Sequence, residues 1–271
     1  MTSVRIVTIN TAKGDFSYNT RIPWLAQELV RLHPDIVLLQ ETLTTDGGEL
    51  DTTKSLAEAL QFRSFHSPAR RKVREIGGIR YQSGTGLSLL SRFPFAETAA
   101  VPLPADPADG KRIGQLAFID TGTDRLLIGN LHLTYLRGEA ADQMRRAELD
   151  VFLAHPWFER GWDTCVIGGD FNTPLSALPA LIEDHAPWEL RDAYLLGDGR
   201  EPRATGPFGQ PSQSGECLDY LISIATVSQP HPAFTASAVV LDQVGPSGLL
   251  PSDHRGVATT MLLQSDSVQG C

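Results

Sequence analysis

The stretch Val166-Ile167-Gly168-Gly169-Asp170-Phe171-Asn172 sets a carboxylate and an amide two residues apart at the end of a short apolar run. Strand side chains alternate between faces, so Asp170 and Asn172 are expected to point into one cleft while Phe171 turns to the core. The two glycines before them let the backbone run close against a neighbour. A carboxylate so placed binds or orients a cation or a water, and the amide donates to an anionic oxygen. The same setting recurs along the chain: Asn10 and Glu41 after apolar runs, His132 two residues beyond Asn130, Asp219 among apolar neighbours, and Asp253-His254 before the last run. Any one of these also suits a turn that satisfies its own backbone. Eight delivered by one device are hard to explain by packing, and carboxylates without cysteine partners suit a hard cation such as Mg²⁺ or Mn²⁺.

Strands must carry these residues. Residues 4–9, 36–39, 62–65, 85–90, 95–101, 113–119, 125–133, 165–167, 217–222, 237–241 and 256–263 read as strands, from alternation or from unbroken apolar runs. Ile22, Leu25, Ala26, Leu29 and Leu32 recur at helical spacing, with Asn19 or Thr20 as cap, Pro23 near the first turn and His33-Pro34 as the stop. Residues 52–60 and 139–153 read as further helices, and Leu178, Leu181 and Ile182 mark a short one. Trp157, Phe158 and Trp162 read as packing against the core. Arg70, Arg71, Lys72, Arg74 and Arg80, opposed only by Glu75, form the one basic cluster; it reads as a solvated loop or, alternatively, as a substrate-phosphate contact beside the site. Residues 102–110 read as an excursion, and 197–215, rich in Gly, Pro and Ser, as an exposed loop bordering a site. Strands outnumber the interspersed helices, which predicts two stacked sheets with helices outside.

At 271 residues, 41% hydrophobic and 20% charged, the chain is expected to form a single domain over 1–264 with a disordered tail at 265–271. A net charge of −9 argues against capture of polyanions by the whole surface but leaves room for a local anion site. No apolar run is long enough for stable membrane insertion. The opening residues enter a strand pattern at once, leaving no room for a leader, so a cytoplasmic protein is expected. Cys165, Cys217 and Cys271 lie too far apart in sequence to suggest disulfides or structural zinc. No stretch calls for an obligate protein partner.

Taken in order, Asn10, Leu39-Gln40-Glu41, Leu89-Leu90-Ser91-Arg92-Phe93-Pro94, Asn130-Leu131-His132-Leu133, Gly169-Asp170-Phe171-Asn172, Leu218-Asp219-Tyr220 and Ser252-Asp253-His254 resemble the motifs of the endonuclease/exonuclease/phosphatase superfamily, the metal-dependent phosphoesterases related to DNase I. The resemblance spans residues 4–263. It implies an α/β fold, a four-layer α/β/β/α sandwich of two mixed sheets flanked by helices, and hydrolysis of a phosphate ester, possible nucleic acid included, with Mg²⁺ or Mn²⁺. By motif, Glu41 would be the principal metal ligand, with Asn10 and Asp253 near the metal. His254, held by Asp219, would be a base or a charged stabiliser; Asp170 would orient or deprotonate water; Asn172 and His132 would hold phosphoryl oxygens. Arg70, Arg71, Lys72 and Arg74 are the candidate substrate-phosphate contacts. The leading expectation is a nuclease-like phosphodiesterase, with phosphomonoester or phospholipid and inositol-phosphate hydrolysis as the alternative and a silent binding module behind both. Inositol polyphosphate 5-phosphatases share Ser252-Asp253-His254-Arg255, but Thr173-Pro174 stands where they favour Tyr-Arg. Cys217 stands where bacterial relatives often have Arg, so a phosphate contact from that position is expected to be lost.

Overall fold

The computed structural model describes residues 3–208, 215–226 and 228–263. Its strands form two six-stranded sheets. In the first, β11 (Phe234–Val240), β12 (Gly256–Leu262), β1 (Ser3–Asn10), β2 (Ile36–Thr45), β4 (Ile79–Ser91) and β3 (Arg63–Ile76) lie side by side in that order. In the second the order is β5 (Phe95–Leu103), β6 (Arg112–Asp120), β7 (Arg125–His132), β8 (Thr164–Asp170), β10 (Asp219–Thr226) and β9 (Trp188–Asp192). Each sheet holds a parallel pair, β1 with β2 and β7 with β8. Parallel neighbours need a long crossover, and helices α1 (Tyr18–Leu32) and α3 (Glu139–Leu153) lie in these two.

Burial follows the layers. Val4, Ile6, Leu38, Leu89, Ile128, Val166 and Leu221 fill the space between the sheets. Ile22, Leu25 and Leu29 of α1, with Leu56 of α2 (Thr52–Leu60), cover the outer face of the first sheet over Val7, Ile9 and Leu39. Leu149 and Phe152 of α3, with Leu178 and Leu181 of α4 (Leu178–Ile182), cover the second over Leu127, Ile167 and Ile222. Phe158 joins that outer core, with Trp157 at 5.0 Å from Phe118 and Trp162 at 6.0 Å from Trp188. This is the four-layer arrangement that the residue pattern and the resemblance both imply.

Several local expectations change. Helix α1 begins at Tyr18 after Ser17, so Asn19 and Thr20 sit in its first turn rather than capping it, and Pro23 lies inside it. The run at 70–80 is no loop: β3 and β4 pair through it, from Arg70↔Thr85 to Ile76↔Ile79. Polar side chains on both faces of that ribbon hid the alternation. Strand β2 continues past Glu41 to Thr45. In the 197–215 segment, Arg203 and Thr205 are buried, while 209–214 lie outside the described residues, as does the tail expected at 265–271. Among the described residues no helix is long and apolar enough to cross a membrane.

Candidate active site

Strand register lays out the site. His132 pairs with Asp170, and Asp170 with Asp219, across β7, β8 and β10. Their side chains therefore leave one edge of the second sheet about 5 Å apart. Asn10, at the end of β1 in the facing sheet, donates Nδ2 to Asp170 Oδ2 at 3.0 Å. His254, two residues before β12, places Nδ1 2.8 Å from Asp219 Oδ2 and Nε2 3.9 Å from Asp170 Oδ2. His132 Nε2 lies 3.6 Å from that same Asp170 oxygen.

Local backbone conformation aims these groups. Gly169 has φ 142°, and a Cβ there would fall 1.9 Å from Leu131 O, so only glycine lets β8 lie this close to β7. Asn172 adopts φ 49°, left-handed backbone that asparagine tolerates. Asp170 Oδ1 accepts its N–H at 2.9 Å, and its Nδ2 donates to Leu133 O at 3.0 Å. Phe171 turns to the core as expected, edge-on to Tyr220. Glu41 also has a left-handed φ, 55°, where the pairing of β2 with β4 breaks between Leu39 and Thr42. Such a bulge re-aims a strand side chain, and the Glu41 carboxylate enters the cleft beside Lys13 Nζ at 2.9 Å.

Two sets of buried polar groups brace this geometry. Gln40 donates Nε2 to Thr8 Oγ1 and Asn130 Oδ1, and Asn130 donates to the carbonyls of Leu39 and Ser88, so Asn130 is a strut between the sheets rather than a partner of His132. Arg21, buried in the first turn of α1, donates to the carbonyls of Thr11, Ala12, Lys13, Asp15 and Pro251. It lashes the loop after Asn10 to the loop that carries Asp253 and His254.

The charges interlock. Burial alone would lower the pKa of His254, but the charge and hydrogen bond of Asp219, then the charges of Asp170 and Asp253, push it up to about 10. His254 is therefore an imidazolium at neutral pH. Burial and the nearby Asp219 charge push Asp170 up to about 6, against His254 and the bonds from Asn10 and Asn172. His132 goes the other way: burial, then the positive charges of Arg112, Lys13 and His254, hold it well below its ordinary value, so it is neutral at pH 7.

The cleft over these groups has a volume of about 550 Å³. Arg70 and Lys72, alternate residues of β3, line it together with Lys111, Arg112 and Arg137. Of the four expected phosphate contacts, Arg71 instead faces Asp46 and Arg74 is buried on Ser83 and Thr85, so two of the four are outside the cleft. Arg112 went unnoticed in sequence. It donates to both oxygens of Asp109 and to His132 O, and Arg70 binds the same Asp109. Burial opposes ionisation of Asp109, but bonds from Arg112 and Thr134 and the charge of Arg70 hold its pKa below the ordinary carboxylate value. A buried anion thus fixes two cations on the cleft wall; an acid three residues before a base at the mouth of a strand was its only trace in sequence. Cys217, for its part, accepts from Arg203 Nε at 3.0 Å, and Arg203 pairs with Asp192 beneath Tyr194.

The model of the Endonuclease/Exonuclease/phosphatase family matches residues 7–254. Among curated proteins nothing matches by sequence. Solved structures with this fold include an endonuclease/exonuclease/phosphatase family protein from Leptotrichia buccalis, with TM-score 0.73 and 16% identity over 96% of this chain and 100% of that one. D. rerio TDP2 complexed with single strand DNA product matches with TM-score 0.71 and 18% identity over 97% and 100%. An endonuclease/exonuclease/phosphatase from Beutenbergia cavernae matches with TM-score 0.67 and 22% identity over 96% and 72%. The matched span takes in the strand ends from Asn10 to His254, and the chain belongs to the endonuclease/exonuclease/phosphatase family, as a metal-dependent phosphoesterase.

Proposed function

We propose that the protein is a Mg²⁺-dependent phosphodiesterase acting on a nucleic-acid strand or a similar diester. The observation that carries this reading is the cation-lined wall. On a chain of net charge −9, Lys13, Arg70, Lys72, Lys111, Arg112 and Arg137 face one cleft beside Asp170 and His254. A diester extends on both sides of the reacting phosphorus, and in nucleic acid its neighbouring phosphates need cations beyond the reacting centre. The single strand DNA product held by the zebrafish structural neighbour favours the same substrate class.

The side chains fit a hard cation at one place and not at another. Asp170, Asp219 and His254 offer ligand atoms within 4.8 Å of one another, but His254 Nδ1 is committed to Asp219 and the ring is charged, so a cation there would meet a cation. Glu41 and Asp253 are half-buried carboxylates on the cleft, which Asn10 also lines, its amide oxygen accepting from Ala12 N–H at 3.0 Å with a second lone pair to offer. This is an all-oxygen set of the kind Mg²⁺ and Mn²⁺ take. The metal, when bound there, supplies Lewis-acid polarisation of the phosphoryl oxygen.

Asp170 is the group we assign as base. It is ionised above pH about 6, with the His254 imidazolium 3.9 Å from its Oδ2, whereas His254 already holds its proton. The imidazolium of His254, the second amide proton of Asn172 and a neutral His132 N–H stabilise the charge that builds on the phosphoryl oxygens. Asp219 keeps His254 charged and aimed. The test is hydrolysis of bis-p-nitrophenyl phosphate against p-nitrophenyl phosphate with Mg²⁺, Mn²⁺ or EDTA, alongside Glu41→Ala and His254→Ala. Diester cleavage that needs metal and drops on the order of 10²-fold or more in both variants is expected. Preference for the monoester, or an active Glu41→Ala enzyme at ordinary Mg²⁺, overturns the reading.

A further inference from the structure

Asp219 presents Oδ2 to His254, but its other oxygen, Oδ1, is buried and has no hydrogen-bond partner among the described residues. One hydrogen bond fixes a distance and leaves a carboxylate free to swing. The aim of this one must come from the backbone that carries it; β8 holds that backbone on one side, with Phe171 N–H donating to Leu218 O at 2.9 Å, and a single hydroxyl takes up its two N–H groups on the other. Thr205 Oγ1 accepts from the N–H of Leu218 at 2.9 Å and of Asp219 at 3.1 Å, and has Glu216 O at 3.5 Å for its own proton. Two accepted bonds and one donated exhaust a hydroxyl.

The same residue grips the other half of the pair. Thr205 O accepts from Arg255 N–H at 2.6 Å, one residue beyond His254. The next residue, Gly206, has φ 151°, and a Cβ there would fall 2.9 Å from both His254 Cγ and Asp253 O. Its backbone therefore packs directly against Asp253 and His254 with no room for a side chain. Thr205 itself is fully buried and lines no part of the cleft.

We propose that Thr205 is a positioning residue for catalysis: its hydroxyl and carbonyl clamp the two chain segments that hold Asp219 against His254. The proposal rests on the phosphoesterase reading above, in which that pair stabilises charge on the phosphate. A hydroxyl kept only for packing would be replaced without loss by an isosteric apolar group. A clamp would not, because Val leaves two buried N–H groups unpaired and lets the Asp219 backbone shift.

The test compares wild type, Thr205→Ser, Thr205→Val and His254→Ala, all checked for folding by circular dichroism, with Thr205→Ala as second variant should Val fail to fold. Two readouts are taken: steady-state hydrolysis of bis-p-nitrophenyl phosphate with Mg²⁺, and the hydrogen-bonded Nδ1 proton resonance of His254 in EDTA, assigned by its absence from His254→Ala. Thr205→Ser should keep kcat within about threefold and keep the resonance, whereas Thr205→Val or Ala should lose kcat on the order of 10²-fold with KM changed less than about twofold, and shift or lose the resonance. Unchanged kcat in the apolar variants overturns the proposal, as does a serine variant as impaired as the valine one, or lost turnover with the resonance intact. Wild-type protein inert toward the diester counts against the phosphodiesterase reading instead. The resonance alone then decides: intact in the apolar variants, it overturns the clamp, and lost from them but kept in the serine variant, it upholds it.

Discussion

Replacing Asp219 with Asn keeps the shape of the side chain and removes the charge that holds His254 in its protonated form. His254 stands at about 10 against an ordinary value of 6.5, with Asp219 the main cause of the rise. At about 1.4 kcal/mol for each pH unit, that difference is on the order of 5 kcal/mol in favour of the folded, charged form. The sign follows from a pKa raised on folding: the contribution is complete below pH 6.5 and is lost as pH rises from 6.5 through about 10. Asp170, at about 6, is ionised throughout most of this window and adds little slope. Between pH 7 and 9 the wild type in EDTA should lose about 3 kcal/mol through this one group, roughly 6–10 °C in melting temperature for a chain of this size. In Asp219→Asn the main cause of the rise is gone, burial is opposed only by Asp170 and Asp253, and most of that slope should vanish. Turnover of bis-p-nitrophenyl phosphate near pH 7.5 should fall on the order of 10²–10³-fold, because a neutral ring faces the phosphate. Melting curves across pH for both proteins, with kcat at one pH, make the measurement. Equal pH slopes in the two proteins, or a variant within about threefold of wild type in kcat, would refute the assignment of His254 as a buried imidazolium.

Three further outcomes are expected. With Asp170 as base, kcat/KM should climb about tenfold per pH unit below pH 6 and level off above it, a limb absent from whatever residual activity Asp170→Asn retains. Asp109→Ala frees Arg70 and strands the buried Arg112, so differential scanning calorimetry should register a loss of about 3 kcal/mol or more, and KM should rise roughly tenfold. Gly169→Ala puts a Cβ into the Leu131 carbonyl at a strained φ, and soluble yield and urea midpoint should both collapse, by more than about 3 kcal/mol; a variant with normal stability would mean that β8 can retreat from β7.

The layers, and the edge where the candidate site residues gather, were legible because they rest on apolar period and on polar residues at the ends of apolar runs. Ile36 to Leu39 had to be a buried strand, and Asp170 had to face away from Phe171. What escaped depends on contacts between segments remote in sequence. Glu41 follows an apolar run as a strand-end residue would, but a bulge inside a continuing strand aims it, and pairing irregularities leave no local mark. Asn130 has the same spacing from His132 as Asp170 has from Asn172, yet it faces the interior and braces the sheets. Residues 70–76 carry charge on alternate faces of a two-stranded ribbon, so polarity concealed the strand and the opposite fates of Arg70 and Arg71. Thr205 sits in a stretch whose composition says loop; its burial comes from the neighbours it clamps.

Neither sheet owns the site. Asn10 and Glu41 come from one and Asp170 and Asp219 from the other, and the bonds from Asn10 to Asp170 and from Gln40 to Asn130 cross the apolar layer between them. Activity is therefore a gauge of how the two halves are seated. A slip of one sheet over the other by an ångström leaves every helix and ladder in place while drawing Asp170, the proposed base, away from Asn10 and Glu41 in the facing sheet. Substitutions in the interleaf, such as at Ile128 or Leu221, far from any phosphate, should dull turnover at denaturant concentrations where circular dichroism still reads as native. The enzyme would come apart along its seam before the protein does.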